Sequence, residues 1–363
     1  MKNTRAKLLV ALVAVMMLIA LVPVAMASEV TASTLADLQT HLGNSAVRQI
    51  TLTSPLSISS NVELSSDHAV TIIADNQVDA FTVTGGTLKI KGQITIESNT
   101  SILWANGGTI TIDGAVLNAN SSYTAGGYPP AFAENGGTIN VVSGSINNEG
   151  EHNTLSVKGT GKANISGGSV TGVSSEYTVA VAKEGGDITI SQNGKVEGKI
   201  TAITATGSGS TITVEGGLVQ TTAAPNEGGN LWWAAGHAVN HGQIVVTGGT
   251  VKSENGRAIV TEANGTAEIK GGAITGGDMA VYAWPTSGAL VVSGGVFSDK
   301  TFVPYLAEGL TDMEYMNGYY TVGRPAASHS APTTGDSTHI AMLNMMLVAS
   351  ALGMTIIRRK AYR

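Results

Sequence analysis

The chain of 363 residues has no cysteine, and aromatic side chains make up only 5% of it. Without cysteine there is neither a disulfide framework nor thiolate chemistry, so stability must come from packing and hydrogen bonding. Basic residues are also scarce: residues 28–334 contain 13 Lys and Arg against 25 Asp and Glu, a net charge of −12. This balance argues against nucleic acid as a partner and against holding anionic polysaccharides by charge alone.

The N-terminal residues have the three parts of a secretory signal peptide. Basic residues precede an apolar run at 8–22, and Ala25 and Ala27 occupy the small positions of a cleavage site. We therefore expect residues 1–27 to be a signal peptide that is removed after Ala27. The apolar run is only slightly shorter than a membrane span, so an uncleaved anchor is the alternative.

The C-terminal residues also have a recognisable order. Pro332, Thr334 and Gly335 form Pro-x-Thr-Gly, and they are followed by an apolar stretch at 340–357 and a basic tail at 358–363. This order resembles the cell-wall sorting signal of Gram-positive surface proteins, in which the motif begins with Leu where this chain has Ala331. The resemblance implies that a sortase cleaves between Thr334 and Gly335 and links the threonine to peptidoglycan.

These two ends define the expected layout: a β-rich body at 28–322, a linker with the sorting motif at 323–335, and a membrane segment with its basic tail at 336–363. Before sorting, the apolar stretch would hold the chain in the membrane with its basic tail inside. A plain membrane tail is the alternative. Either reading places the body at the surface of a Gram-positive cell, and we expect it to be a monomer.

Glycine is abundant, with 46 residues, and it recurs in register through the middle of the chain. The pattern apolar-x-apolar-x-Gly-Gly occurs at 163–168, 212–217, 244–249, 267–272 and 290–295. Looser copies extend the series, most often at a spacing of 23 or 24 residues. A fixed period in this range indicates a solenoid, and short alternating strands with Gly turns indicate strands rather than helices. The repeat predicts an all-β fold, a single right-handed parallel β-helix of about 10 or 11 coils with stacked aliphatic rows inside.

Both ends of the predicted solenoid have candidate caps. Thr34 and Asp37 fit the start of a short helix that Gly43 ends, and Asn317-Gly318 between two apolar runs predicts a hairpin. A helix, Gly-Gly coils and a Tyr-rich hairpin in this order resemble pectin-lyase-like right-handed β-helix modules on the surface of Firmicutes. That resemblance covers about 30–322 and implies the fold, but its motifs are structural and imply no activity.

Two coils are longer than the period, at 107–135 and 209–241. Their extra residues follow the second strand, so both insertions should emerge on one side of the rod. They contain Tyr123 and Tyr128 in the first, and Trp232 and Trp233 in the second, with Tyr177 at the corresponding turn between them. Aromatic rings stack on sugars, so these five residues are the candidate binding residues for a neutral glycan or a protein partner. Packing of the insertions onto themselves is the alternative.

The remaining candidates point to structure rather than chemistry. Trp104, Phe132, Tyr282 and Trp284 fall on third strands, where we expect core or edge packing. His241 stands where other coils have Asn before the turn glycine, so it is expected in a turn. No combination of residues around His237 predicts a metal site, and no cofactor is expected.

Catalysis is the runner-up function. β-Helix enzymes that cleave acidic polysaccharides need carboxylates on adjacent coils, often with Ca²⁺, and a base near the scissile bond. Here the acidic residues are scattered singly along the repeat. We therefore expect a non-catalytic, adhesin-like surface protein, with a polysaccharide lyase or hydrolase and a structural spacer as the two alternatives.

Overall fold

The computed structural model describes residues 28–75, 78–122, 128–223, 234–285 and 287–325. The described residues form one α-helix, a short 3-10 helix and thirty β-strands, nearly all of which pair in parallel. Ten strands stack in one sheet, so the solenoid has about ten turns. The predicted all-β fold, a single parallel β-helix, is confirmed.

Alternating apolar residues, with glycine, asparagine and serine between the runs, set the strand boundaries. In chain order the strands are β1 (Ser28–Ala32), β2 (Val47–Leu52), β3 (Leu56–Ile58), β4 (Val62–Ile73), β5 (Phe81–Val83), β6 (Thr87–Ser98), β7 (Leu103–Asn106), β8 (Thr109–Ala119), β9 (Ala131–Glu134), β10 (Thr138–Asn148), β11 (Leu155–Lys158), β12 (Lys162–Ile165), β13 (Ser169–Gly172), β14 (Ala180–Lys183), β15 (Asp187–Ile190), β16 (Lys195–Gly198), β17 (Thr201–Thr206), β18 (Thr211–Val214), β19 (Leu218–Thr221), β20 (Ala234–Val239), β21 (Gln243–Val246), β22 (Thr250–Ser253), β23 (Arg257–Thr261), β24 (Thr266–Ile269), β25 (Ala273–Gly276), β26 (Met279–Ala283), β27 (Ala289–Val292), β28 (Val296–Phe297), β29 (Thr311–Glu314) and β30 (Tyr320–Gly323).

Each coil contributes strands to three ladders. In coil 6 these are β12, β13 and β14; in coil 7, β15, β16 and β17; and in coil 8, β18, β19 and β20. In the earlier coils the first and second strands are fused, so coil 4 is β8 and β9, and coil 5 is β10 and β11. Twenty strands form the sheet that holds the first and second ladders, and ten form the third ladder.

The core consists of stacked aliphatic rows. In the first ladder, Ile110 pairs with Ile139, and Ile188 with Ile212 and then Ile244, and all of these side chains are at most 1% exposed. A second row, through Ile112, Val141, Ile165, Ile190, Val214, Val246 and Ile269, runs beside it. The aliphatic rows predicted from the repeat are therefore present, because one residue of each coil lies above its counterpart in the coil below.

The glycines of the repeat permit the close stacking of turns. Gly217 has a φ of +70°, and a Cβ placed there would lie 2.1 Å from the carbonyl oxygen of Gly194 in the coil below. A side chain at this position would both strain the backbone and collide with the neighbouring turn. The recurrent glycine is thus a packing requirement and carries no chemistry.

Both predicted caps are present. Helix α1 (Leu35–Leu42) begins at Thr34, whose hydroxyl accepts a hydrogen bond from the Asp37 amide, and it buries Leu38 and Leu42. At the other end, β29 and β30 form an antiparallel hairpin whose turn has Asn317 and Gly318 at positive φ. Phe297 and Phe302 stack with ring centroids 4.1 Å apart and close the core beneath this hairpin.

The compact unit ends at Gly323. The predicted signal peptide, with Ala25 and Ala27, lies outside the described residues, as do Pro332, Thr334, Gly335 and the apolar stretch at 340–357. Within the part of the chain that is described, no helix is long and apolar enough to cross a membrane.

Candidate functional site

The corners between the second and third ladders vary most from coil to coil. In coil 4 this corner loop is 120–130, in coil 6 it is 173–179, and in coil 8 it is 222–233. Both long insertions therefore connect a second-ladder strand to a third-ladder strand, as the repeat predicts. In coil 7 the same corner is only residues 199–200, so a short corner lies between two longer ones.

A cleft of 330 Å³ lies at the coil 7 corner, and we call it the corner cleft. It is lined by Thr171, Gly172, Val173, Glu197, Lys199 and Thr222. Coils 6 and 8 supply the walls and coil 7 the floor. Because adjacent strands lie about 4.8 Å apart, the walls are roughly 10 Å apart. One wall is apolar, since Val173 is 57% exposed.

Glu197 is the carboxylate on the floor of the corner cleft. Its Oε2 lies 2.9 Å from the Lys195 ammonium and also accepts a hydrogen bond from the Gln220 amide. Partial burial raises the pKa of Glu197, but these hydrogen bonds outweigh it and hold the pKa below its ordinary value. The cleft therefore presents an ionised carboxylate at neutral pH, and its Oε2 is engaged by Lys195 and Gln220.

The corner loop of coil 6 is held in place by Ser174 and Thr178. The Ser174 hydroxyl accepts a hydrogen bond from the Tyr177 amide at 2.8 Å and donates one to Glu151 in the coil below. Thr178 and Thr204 share a hydroxyl hydrogen bond of 2.8 Å across to coil 7. The candidate residue Tyr177 stacks on the buried His152 ring, with centroids 5.9 Å apart. The coil 6 wall of the cleft is therefore held in place by hydrogen bonds and ring stacking to the neighbouring coils.

The first insertion carries Tyr128, which is 54% exposed. Its backbone carbonyl accepts a hydrogen bond of 2.5 Å from the Ser121 hydroxyl. The buried Asn148 side chain in turn bonds both the amide and the carbonyl of Ser121. Tyr128 is therefore an exposed aromatic on an anchored loop. The other three predicted binding residues, Tyr123, Trp232 and Trp233, lie outside the described residues.

The third ladder carries half-buried aromatic residues on its outer face, and of the expected core or edge packing, Trp104 and Phe132 show the packing at the edge. Trp104 and Phe132 are register partners that point outward between the buried pairs Leu103 and Ala105, and Ala131 and Ala133. The core-facing residues of β7 and β9 are leucine and alanine, and both rings lie on the opposite face. Lys183 lies 5.7 Å from the Phe132 ring centroid.

Tyr282 and Trp284 lie farther along the same outer face, in the last full coil. Their rings meet edge to face at 5.6 Å, which is edge packing as expected. The Arg257 guanidinium stacks 4.0 Å from the Tyr282 centroid, and the arginine is only 6% exposed. Its nearest carboxylate, Asp278, is 3.5 Å from Nε, and neither Nε nor Nη1 has a hydrogen-bond partner. The stacking on Tyr282 therefore adds to the ion pair with Asp278 in stabilising this buried cation.

The histidines have structural surroundings. His241 has a φ of 68° in the turn after Asn240, and Asn135 and Asn264 have the same left-handed geometry in other coils, which confirms the turn prediction. His237 Nε2 is 3.1 Å from Glu262 Oε1, and burial lowers the pKa of His237 although Glu262 opposes the shift. Across the described ranges, no three His, Cys, Asp or Glu side chains are grouped so as to hold a metal ion.

Glu197, Lys199 and the corner cleft were not predicted from the sequence, because no motif or change in coil length marks them. Comparison with protein families, with curated proteins and with solved structures gives no match. The protein is therefore classed by its own architecture, as a parallel β-helix of about ten turns with a helical cap, a hairpin cap and a cleft at a shortened corner.

Proposed function

We propose that the protein is a non-catalytic cell-surface β-helix that binds neutral glycans at the corner cleft. The observation that carries this proposal is the cleft itself, a polar floor in coil 7 flanked by residues of coils 6 and 8. Its lining combines threonine hydroxyls, a carboxylate and an ammonium group with the apolar side chain of Val173. Sugars present hydroxyl groups at their edges and C–H groups on their faces, so donors and acceptors beside an apolar wall suit them.

The charge pattern supports an uncharged ligand. Residues 28–334 carry a net charge of −12, which repels anionic polysaccharides at long range. Among the described residues that line the cleft, Glu197 is the one carboxylate, whereas glycoside hydrolysis ordinarily uses a pair of carboxylates on either side of the scissile bond. A binding role therefore uses the residues present without requiring a second acid.

The aromatic loops extend the same surface. Tyr128 is exposed on the corner loop of coil 4, and Tyr177 is part of the wall formed by coil 6. Trp232 and Trp233 remain candidate binding residues on the insertion of coil 8. All of these residues belong to corners between the second and third ladders, so one side of the rod would carry the contacts.

The glycan proposal is tested by retention on immobilised neutral polysaccharides: a β-glucan, an α-glucan, a mannan and purified peptidoglycan. Glu197→Ala should weaken retention on the polysaccharide that binds, by roughly tenfold, because a hydrogen bond to a charged group contributes about 1.5 kcal/mol. Glu268→Ala is the matched control, since Glu268 pairs with Lys270 at 3.0 Å as Glu197 pairs with Lys195.

Three results would overturn the proposal: no retention of the unmodified protein on any of these glycans, unchanged retention of the Glu197 variant, or equal losses in the Glu197 and Glu268 variants. The double variant Trp232→Ala, Trp233→Ala tests separately whether the two tryptophans contribute to binding. If it retains the glycan as well as the unmodified protein does, the two tryptophans have no part in binding.

Surface display is part of the proposal. The β-helix occupies the chain between the predicted signal peptide and the predicted sorting motif, as an exported and anchored body would. Sortase and peptidoglycan would be its partners in anchoring. In a Gram-positive host, Thr334→Ala should move the protein from the wall fraction to the membrane fraction or the medium. An unchanged wall fraction would refute sortase anchoring while leaving glycan binding intact.

A further inference from the structure

A second depression of 330 Å³ lies on the outer face of the first ladder. We call it the face groove. Its polar lining comes from Lys162 and Asn164 in coil 6, Asp187 and Thr189 in coil 7, and Thr211 and Thr213 in coil 8. These are alternate residues of β12, β15 and β18 that point away from the core, so their side chains form a small array of donors and acceptors.

The face groove and the corner cleft lie on the same three coils. Coil 7 supplies the floor of both, through Asp187 and Thr189 in one and Glu197 and Lys199 in the other. Thr189 and Glu197 are eight residues apart in the chain, so these two residues are at most about 29 Å apart. The sites are therefore close enough for one extended ligand to reach both.

Between the two sites, the turn of coil 7 carries amide side chains, whereas the corresponding turns of coils 6 and 8 contain two glycines. Coils 6 and 8 turn from the first to the second ladder with Gly167-Gly168 and Gly216-Gly217, whereas coil 7 has Gln192 and Asn193, both exposed. Two amide side chains thus stand where the flanking coils have none. Each amide can donate and accept hydrogen bonds, which suits contact with hydroxyl groups.

The corner loop of coil 6 limits the direction in which a ligand can run. At the corner cleft, a chain directed along the rod towards coil 6 would meet Val173 and the loop at 173–179, whereas a chain directed across the rod would follow coil 7, whose corner is only 199–200.

From these observations, and resting on the glycan-binding function proposed above, we propose that the corner cleft and the face groove are two subsites of one track across coil 7. Its ligand is a linear neutral polysaccharide that crosses the rod over Gln192 and Asn193. A monosaccharide or disaccharide fills one subsite only. Affinity therefore rises with chain length until both subsites are occupied, and then becomes constant.

The test uses oligosaccharides of increasing length prepared from the polysaccharide that the protein retains, measured by isothermal titration calorimetry. The groove variant is Thr211→Ala, Thr213→Ala. The control is Thr109→Ala, Thr111→Ala, which changes the same Thr-Ile-Thr sequence on the same face in coil 4. The groove variant should bind short oligosaccharides normally and lose roughly tenfold in affinity for long ones, the loss expected for two hydrogen bonds. The control should change neither.

Unchanged long-chain affinity in the groove variant, together with a loss in Glu197→Ala, would overturn the track and leave the cleft as the whole site. An equal loss in the groove and control variants would also overturn it, since the effect would not be specific to coil 7. If both the groove variant and the Glu197 variant bind as well as the unmodified protein does, the proposed function itself is overturned. Circular dichroism and thermal midpoints of all variants show whether a loss comes from unfolding.

Discussion

Asn148 allows a strong test of how the corner loops are held. Its side chain is 2% exposed, and its Oδ1 accepts hydrogen bonds from the amides of Ser121 and Gly150 at 3.0 and 3.1 Å. Its Nδ2 donates to the carbonyls of Ser121, Gly150 and His152. One buried amide thus joins the corner of coil 4, which carries Tyr128, to the corner of coil 5.

Asn148→Ala should therefore leave two buried backbone amides without an acceptor. Each orphaned donor costs about 1–3 kcal/mol, so we expect a loss of about 3 kcal/mol when water partly compensates. Urea unfolding followed by circular dichroism measures the global loss. Because solenoids also open locally, hydrogen exchange at Ser121 and Gly150 measures the local loss, and there it should accelerate by roughly a hundredfold.

Asn147→Ala is the control, since Asn147 is the preceding residue of β10 and its side chain lies on the outer face, bonded to Asn118 and Ser145. We expect it to cost less than about 1 kcal/mol, because its partners remain accessible to water. If the Asn148 variant loses less than the Asn147 variant, or if exchange at Ser121 is unchanged, the reasoning that a buried side chain organises these loops is refuted.

Two further predictions concern turns and titration. Gly217→Ala should destabilise the protein by several kcal/mol more than Gly159→Ala, because both have positive φ but only Gly217 would bring a Cβ into a neighbouring carbonyl; equal urea midpoints would contradict this. Burial lowers the pKa of His237 in the folded state, so the unfolded state takes up protons first, and stability should fall as the pH drops below about 6.5, the ordinary value. His237→Gln should make this fall shallower, and a steeper pH dependence in the variant would show that the sign is wrong.

The fold could be predicted from the sequence because the same pattern recurs in many coils. A period of 23 or 24 residues, alternating apolar positions and Gly-Gly turns each recur, so a departure in one coil does not obscure the pattern. The caps were predictable from local signals, Thr34 with Asp37 for the helix and Asn317-Gly318 for the hairpin. These signals act within a few residues of the structure they determine.

The outward direction of Trp104 and Phe132 could not be predicted in the same way. On the first ladder, polar residues alternate with apolar ones and mark the outer face. On β7 and β9, by contrast, residues on both faces are apolar. Trp104 lies between Leu103 and Ala105, and Phe132 lies between two alanines, so hydrophobicity does not distinguish inside from outside. Size does not distinguish them either, because Phe81, the register partner of Leu103, is fully buried in the same ladder. The direction is set by the register of each strand against its neighbours, which the sequence of one strand does not reveal.

The corner cleft could not be predicted from coil length, because the short corner of coil 7 is offset by longer segments elsewhere in the same coil. Coil 7 has an ordinary total length, so counting residues between Gly turns reveals nothing unusual. Its corner is reduced to 199–200, but its first turn is the longer Ser191-Gln192-Asn193-Gly194 and its third strand, β17, has six residues. The insertions of coils 4 and 8 have no such compensation, and they were therefore found.

The same architecture decides how a ligand would be recognised at coil 7. β15 and β16 are hydrogen-bonded to neighbouring coils on both sides, so the backbone that carries Thr189 and Glu197 is held by the ladders. Sites on such strands are already organised before binding, and little ordering entropy is lost when a ligand arrives. Affinity should then depend on how many subsites the ligand reaches rather than on rearrangement of the protein. For this reason the dependence on oligosaccharide length separates a track across coil 7 from a single cleft.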